Sequence, residues 1–150
     1  MSAHTALDIA HWFIAWADDV EDTWLTPLKL QKLVYYAQGE YMRATAGVPL
    51  FHDEMQAWTH GPVVPSLYRE LRAYGGREIP PAEVMPTSFT WDDFRDCENV
   101  LIDVWKKYGI YSAWALRNKT HSERPWLDNF EADDTNNVIT EVDMKAYFCD

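Results

Sequence analysis

The residues best suited to acid–base chemistry are His121 and Glu123, which lie two positions apart in the string T-H-S-E at residues 120–123. A histidine can act as a general base near neutral pH, and a neighbouring carboxylate can orient its ring. In a hydrolytic enzyme, the catalytic residues would be His121 with Glu123, or His60. The larger motifs of such enzymes are missing, because the sequence has no P-C-x-x-C, no H-E-x-x-H and no G-x-S-x-G. We therefore predict that the protein is not an enzyme.

A structural role uses the same residues well. The hydroxyls of Thr120 and Ser122, with the His121 ring, can bond backbone groups that become free where one short helix ends and Pro125 begins the next. We favour this role over the catalytic one. The predicted structural motif comprises Thr120, His121, Ser122, Glu123 and Trp126.

A second unusual string, W-T-H-G-P-V at residues 58–63, predicts a rigid turn. Gly61 allows a close approach or a backbone conformation that other residues avoid, and Pro62 fixes its own φ. The turn can simply begin the next helix and bury Trp58. Alternatively it presents Trp58, His60 and Val63 to a partner, because loops held by a scaffold often carry binding. We favour the structural interpretation and keep both.

These strings must be positioned by helices, and the clearest helix lies at residues 26–47. Thr26 is a suitable N-cap, Pro27 suits the first helical position, and Gly47 is a natural stop. Its apolar residues exceed one stripe, which is typical of a central helix. The stripe contains Leu30, Leu33, Val34, Ala37 and Tyr41, and the residues beyond it are Leu28, Tyr35, Tyr36 and Met42.

The remaining pattern predicts a mainly α fold, a compact multi-helix single domain over residues 1–150. Apolar spacing and caps predict further helices at residues 5–17, 65–74, 90–109 and 113–119, a helical turn from Pro125, and a terminal helix from Thr140. A short β-hairpin is predicted near residues 50–58, turning around residues 52–54. Residues 77–88 and 131–137 are predicted to be loops.

Composition narrows the class of protein. The 150 residues are 47% hydrophobic and 15% aromatic, and their net charge of −11 disfavours direct nucleic-acid binding, so a basic protein surface is the more natural partner. Cys97 and Cys149 lack metal-binding spacing, so no metal or cofactor is predicted, and Cys97 is interpreted as a small buried apolar residue. With neither a signal-peptide pattern nor a membrane-length apolar run, we expect a cytoplasmic protein without membrane contact.

Several strings of the chain occur together in one known family. Their order and spacing resemble the Panacea-domain family of SocA-like antitoxins, whose members are also described as phage-associated proteins of the GepA type. The strings are LTPLKLQKLVYYAQGEY at residues 25–41, PLF at 49–51, AWTHGPVVPSLY at 57–68, LRNKTHSERPW at 116–126 and ITEVDMKAYF at 139–148.

This resemblance implies a compact, largely helical antitoxin that neutralises a cognate protein toxin by direct contact. Our leading hypothesis is that it occludes the toxin's active or substrate site. Toxins paired with the family are of several kinds, toxic small alarmone synthetases among them, so the toxin is not identified. The alternatives are an adaptor that delivers a client to a protease or chaperone, and the enzyme considered above; whether the chain forms homo-oligomers stays open. The predicted partner-binding residues are Tyr35, Tyr36, Trp58, His60, Tyr68, Arg69 and Arg72.

Overall fold

Helices dominate the fold, as predicted. The computed structural model describes residues 4–149, and these form eight α-helices and one small antiparallel sheet. The helices are α1 Ala6–Asp19, α2 Pro27–Ala44, α3 Pro65–Leu71, α4 Pro81–Val84, α5 Glu98–Tyr108, α6 Ala113–Thr120, α7 Arg124–Leu127 and α8 Glu141–Phe148. The strands are β1 Met55–Trp58, β2 Gly61–Val63 and β3 Val138–Ile139, and 3-10 turns lie at Arg72–Tyr74 and Trp91–Phe94.

The long helix α2 lies at the centre of the fold, which confirms the interpretation of its apolar pattern. Thr26 accepts a hydrogen bond from the backbone N–H of Lys29, and Pro27 occupies the first turn. The helix packs against α1, α3, α5, α6, α8 and β2. It ends at Ala44, three residues before Gly47, which adopts a φ of +104°. Because α2 touches so many elements, its side chains can position most of the molecule.

The sheet differs from the predicted hairpin. Strands β1 and β2 pair antiparallel, with Trp58 opposite Gly61, so the chain turns at residues 59–60 and not at residues 52–54. The backbone of Leu50 and Phe51 is held instead by the Gln38 side chain, which donates to the Phe51 carbonyl and accepts from both backbone N–H groups. Since that side chain replaces a strand partner, the segment stays outside the sheet.

The third strand, β3, lies immediately after the predicted loop at residues 131–137. It pairs with the outer edge of β1, with Met55 opposite Ile139 and Gln56 opposite Val138. The strand is only two residues long, and its partner lies more than 80 positions earlier. A periodic pattern needs a longer segment to become visible, which is why the sequence did not predict this strand.

The helix predicted at residues 90–109 is interrupted. A 3-10 turn at Trp91–Phe94 comes first, and α5 begins only after Cys97, whose φ and ψ are −127° and −3°. The break lets the Trp91 ring meet Trp12 and Trp16 of α1 edge-on, with ring centroids 6.1 Å apart in both pairs. Tertiary packing has therefore overridden a continuous helical pattern. None of the helices in the described chain is long and apolar enough to cross a membrane.

Candidate partner-binding site

Polar side chains of α2 fix the backbone of the segment that forms the site. The Gln31 amide donates to the Val64 carbonyl at 3.2 Å and accepts from the Val64 N–H at 2.9 Å. The next residue of α2, Lys32, donates from Nζ to the Pro62 carbonyl at 3.0 Å. All these bonds are buried, and a buried hydrogen bond is costly to break. The segment from β2 into α3 is thus attached to the central helix.

Lys32 is completely buried, although lysine is rarely buried without a charged partner. Its side chain lies beneath Gly61, where an added Cβ would come within 2.7 Å of both Lys32 Cε and Thr120 Oγ1. Gly61 also adopts a φ of +107°, so only glycine fits this turn without strain. Burial, with a smaller contribution from the positive charge of Arg117, lowers the pKa of Lys32 to about 7.

Beside this lysine, a cavity of about 280 Å³ lies between the start of α2, the turn of the hairpin and α3. We call this cavity the Trp58 pocket. The Trp58 ring meets the Tyr68 ring edge-on, with centroids 4.9 Å apart, and 42% of Tyr68 is exposed. Trp58, His60, Val63 and Tyr68, all singled out from the sequence, therefore lie around one cavity. Its lining includes Leu28, Lys32, Trp58, His60, Val63 and Tyr68.

An exposed aromatic residue and an arginine extend the rim of the Trp58 pocket along α6. The Arg117 Nε donates to His60 Nδ1 at 3.3 Å, and its guanidinium lies 4.4 Å from the centre of the Trp114 ring. Trp114 is 53% exposed, whereas Leu116 is fully buried. Both are large apolar residues, so residue type alone does not distinguish them. Residues two apart point to nearly opposite sides of a helix, so the spacing itself could have indicated that one is exposed.

Tyr35 and Tyr36 lie elsewhere, and the structure corrects the prediction that they contact a partner. Both are fully buried, and their hydroxyls donate to the two oxygens of Glu123, each at 2.9 Å. Lys119 Nζ lies 3.2 Å from the same carboxylate. Burial, followed by the charge of Glu123, raises the pKa of both tyrosines. We call these four residues the Glu123 cluster.

The other two predicted contact residues, Arg69 and Arg72, are exposed on α3 and the following 3-10 turn. Arg69 directly follows Tyr68 in α3 and Arg72 begins the next turn, and neither residue lines the cavity. The structure therefore places them next to the pocket and leaves their role in binding a prediction.

The string at residues 120–123 makes contacts that suit a structural role. The His121 ring stacks on Trp126 with centroids 3.9 Å apart, and the Trp126 indole N–H donates to the Trp58 carbonyl at 2.7 Å. Burial is the main cause that lowers the pKa of His121, with nearby positive charges adding to it. Glu123 is bound to the two tyrosines, and no hydrogen bond joins it to His121 within residues 4–149. The pair is not arranged as a base with its orienting carboxylate.

The hydroxyls of this string bond backbone groups where α6 ends. Thr120 donates to the Arg117 carbonyl at 2.7 Å, and Ser122 donates to the Lys119 carbonyl at 2.7 Å. The same two carbonyls also accept from the backbone N–H groups of His121 and Ser122, so each hydroxyl adds a second hydrogen bond at the end of the helix. The segment at residues 120–123 also places Trp126 against the hairpin, where its indole N–H bonds the Trp58 carbonyl, so the segment stabilises the Trp58 pocket.

Comparison with known proteins gives a family and one partial relative. The family profile described as "Antitoxin SocA-like, Panacea domain" matches residues 30–127. Antitoxin SocA of Caulobacter vibrioides (strain NA1000 / CB15N) is 40% identical over 55 residues, which make up 37% of this chain and 29% of that relative. The alignment thus spans less than a third of the relative's length. No solved structure matches the chain.

Proposed function

The chain belongs to the SocA-like antitoxin family with the Panacea domain, and from this membership we propose that it is the antitoxin of a toxin–antitoxin pair and binds its toxin through the Trp58 pocket. The observation that carries the proposal is an open apolar cavity whose rim holds half-exposed aromatic rings and a stacked arginine. Such residues supply most of the binding energy in protein interfaces.

The size and chemistry of the pocket favour a protein side chain as its occupant. Its volume of about 280 Å³ lies just below the roughly 300–1,000 Å³ typical of small-molecule sites. The apolar lining suits an aliphatic or aromatic anchor of the toxin. Arg117 at the rim suits an acidic group beside that anchor, because its guanidinium is a local positive charge on a chain of net charge −11.

A rigid binding surface favours neutralisation by occlusion. Gln31 and Lys32 attach the hairpin and α3 to the central helix, so little order has to be gained when a partner docks. We propose that the toxin places its anchor in the pocket and that the surrounding surface of the antitoxin covers the toxin's active or substrate site.

The test is co-expression with the toxin encoded beside this gene, using Tyr68→Ala and Trp114→Ala. We expect each variant to bind the toxin at least about tenfold more weakly and to restore toxicity, since aromatic anchors typically contribute more than 1 kcal/mol. Trp24→Ala is the matched control, because Trp24 is also an exposed tryptophan, at 44%, and does not line the pocket. If Tyr68→Ala and Trp114→Ala both still protect cells fully from the toxin, the proposal is wrong.

The same cells distinguish occlusion from delivery to a protease. We expect the toxin's half-life to be unchanged or longer when the antitoxin is present, because a covered surface is protected. A half-life that falls with the antitoxin, and recovers in Trp114→Ala, would instead favour the adaptor function.

A further inference from the structure

Two distant parts of the chain bring an imidazole, a carboxylate and a thiol together next to the start of α5. His4 Nε2 lies 3.0 Å from each carboxylate oxygen of Asp96 and 3.7 Å from Cys97 Sγ. The three potential ligand atoms all lie within 4.8 Å of one another. Because His4 is more than 90 positions away from the other two residues, no local sequence motif indicates this cluster.

The separations suit a tetrahedral metal ion. Zinc bonds of about 2.0 Å to nitrogen or oxygen and 2.3 Å to sulfur place neighbouring ligand atoms about 3.3 Å (N to O) and about 3.6 Å (N to S) apart. The observed 3.0 Å and 3.7 Å are within a few tenths of an ångström of these values. The carboxylate and the thiol lie within 4.8 Å of each other, compared with about 3.5 Å around a zinc ion, so the side chains would need shifts of at most about 1 Å to bind an ion between them.

The cluster is also held in place and open on one side. The His4 ring stacks on Phe94 with centroids 5.2 Å apart and an interplanar angle of 11°, and 7% of its side chain is exposed. Cys97 is 1% exposed, and its thiol donates to the Phe94 carbonyl at 3.6 Å. The Asp96 side chain is 51% exposed, so solvent can reach the site and supply a fourth ligand.

We propose that His4, Asp96 and Cys97 form a binding site for Zn²⁺, with a water molecule as the fourth ligand. An imidazole, a carboxylate and a thiolate are ligands that suit zinc, whereas magnesium and calcium prefer oxygen alone. On binding, the thiol loses its proton to solvent and the ion replaces the hydrogen bond between His4 and Asp96. The bound metal joins the segment before α1 to the start of α5.

The experiment is a titration of the chelator-treated full chain with Co²⁺, which replaces zinc and reports thiolate ligation by a charge-transfer absorption band. We expect one equivalent of Co²⁺ to produce the band and one equivalent of Zn²⁺ to abolish it. The midpoint of thermal unfolding should rise when Zn²⁺ is added, because the metal binds only the assembled site.

Variants assign the ligands. Cys97→Ala should abolish the band, and Asp96→Asn, at an exposed position, should weaken Co²⁺ binding at least about tenfold. Cys149→Ala is the matched control and should keep both the band and the affinity. Far-UV circular dichroism checks that each variant is folded. The site is refuted by a wild-type chain without the band, by a band that Cys149→Ala removes, or by unchanged Co²⁺ affinity in a folded Asp96→Asn variant.

Discussion

The Glu123 cluster and the Trp58 pocket are built from the same kinds of residue, yet their surroundings give them different uses. In the cluster, Tyr35 and Tyr36 are fully buried and both oxygens of Glu123 have partners. Around the pocket, Tyr68 and Trp114 keep 42% and 53% of their surface exposed. Composition alone treats the four aromatic rings alike. Burial indicates that the first pair stabilises the fold and leaves the second pair available for a partner.

The largest effect that this comparison predicts is the loss of the buried carboxylate. Glu123→Ala leaves the hydroxyls of Tyr35 and Tyr36 buried without an acceptor, and it removes the partner of Lys119. We expect the free energy of unfolding to fall by about 3–5 kcal/mol, the usual cost of breaking a buried network. Urea denaturation followed by circular dichroism measures it.

The matched control is Glu141→Ala. Glu141 also forms an ion pair, with His52 at 2.8 Å, but 46% of its side chain is exposed. Exposed pairs contribute about 0–1 kcal/mol, so this variant should be nearly as stable as the wild type. If the two variants lose the same amount of stability, burial does not distinguish the two regions as we argue.

The next effect concerns Lys32, the buried group that lies at the pocket. Its pKa is lowered from an ordinary 10.5 to about 7 in the folded protein, so between these values the unfolded chain binds more protons than the folded one. Stability must then rise with pH, by roughly 1–2 kcal/mol between pH 7 and pH 8.5. Urea midpoints measured across this range test the slope.

Lys32→Met keeps the length of the side chain and removes the titrating group, so the rise should disappear. Lys106→Met, at an exposed position of α5, should keep it. The range ends at pH 8.5 because burial raises the pKa of Cys97 to about 12 from an ordinary value near 9, which lowers stability at higher pH. If stability still rises with pH in Lys32→Met, the rise is caused by another titrating group.

The sequence was informative where the signals are local. The predicted helix starts at residues 5 and 26 are confirmed, because a cap acts within one turn: Thr5 forms a capping box with Asp8, and Thr26 caps the helix before Pro27. The Trp58 turn was also recognised, since glycine followed by proline restricts the backbone wherever it occurs. Trp58, His60 and Val63 of this turn lie around one cavity with Tyr68 of α3.

The features that were missed depend on distant partners. Strand β3 pairs with β1, Gln38 replaces a strand partner for the segment before β1, and Glu123 acts as acceptor for tyrosines almost 90 residues away. Apolar periodicity shows which face of a helix is apolar, but it gives no information about the elements that surround the helix. It cannot show which element covers the opposite face, and this is why the sequence could not decide whether Tyr35 and Tyr36 pack in the core or contact a partner.

The smallest expected effect on stability belongs to Trp114→Ala. The ring touches Arg117 and His60 at the surface, and an exposed cation–π contact contributes about 0.5–1 kcal/mol. We expect the free energy of unfolding to change by at most about 1 kcal/mol, while toxin binding weakens at least about tenfold.

For Glu123→Ala we expect the opposite result, a large loss of stability with unchanged toxin affinity of the folded fraction, since that fraction keeps the pocket. Isothermal titration of both variants against the toxin, corrected for the folded fraction, gives the two affinities. The separation of the two regions is contradicted if the folded Glu123→Ala protein loses as much affinity as Trp114→Ala, because the cluster would then shape the binding surface as well as the core.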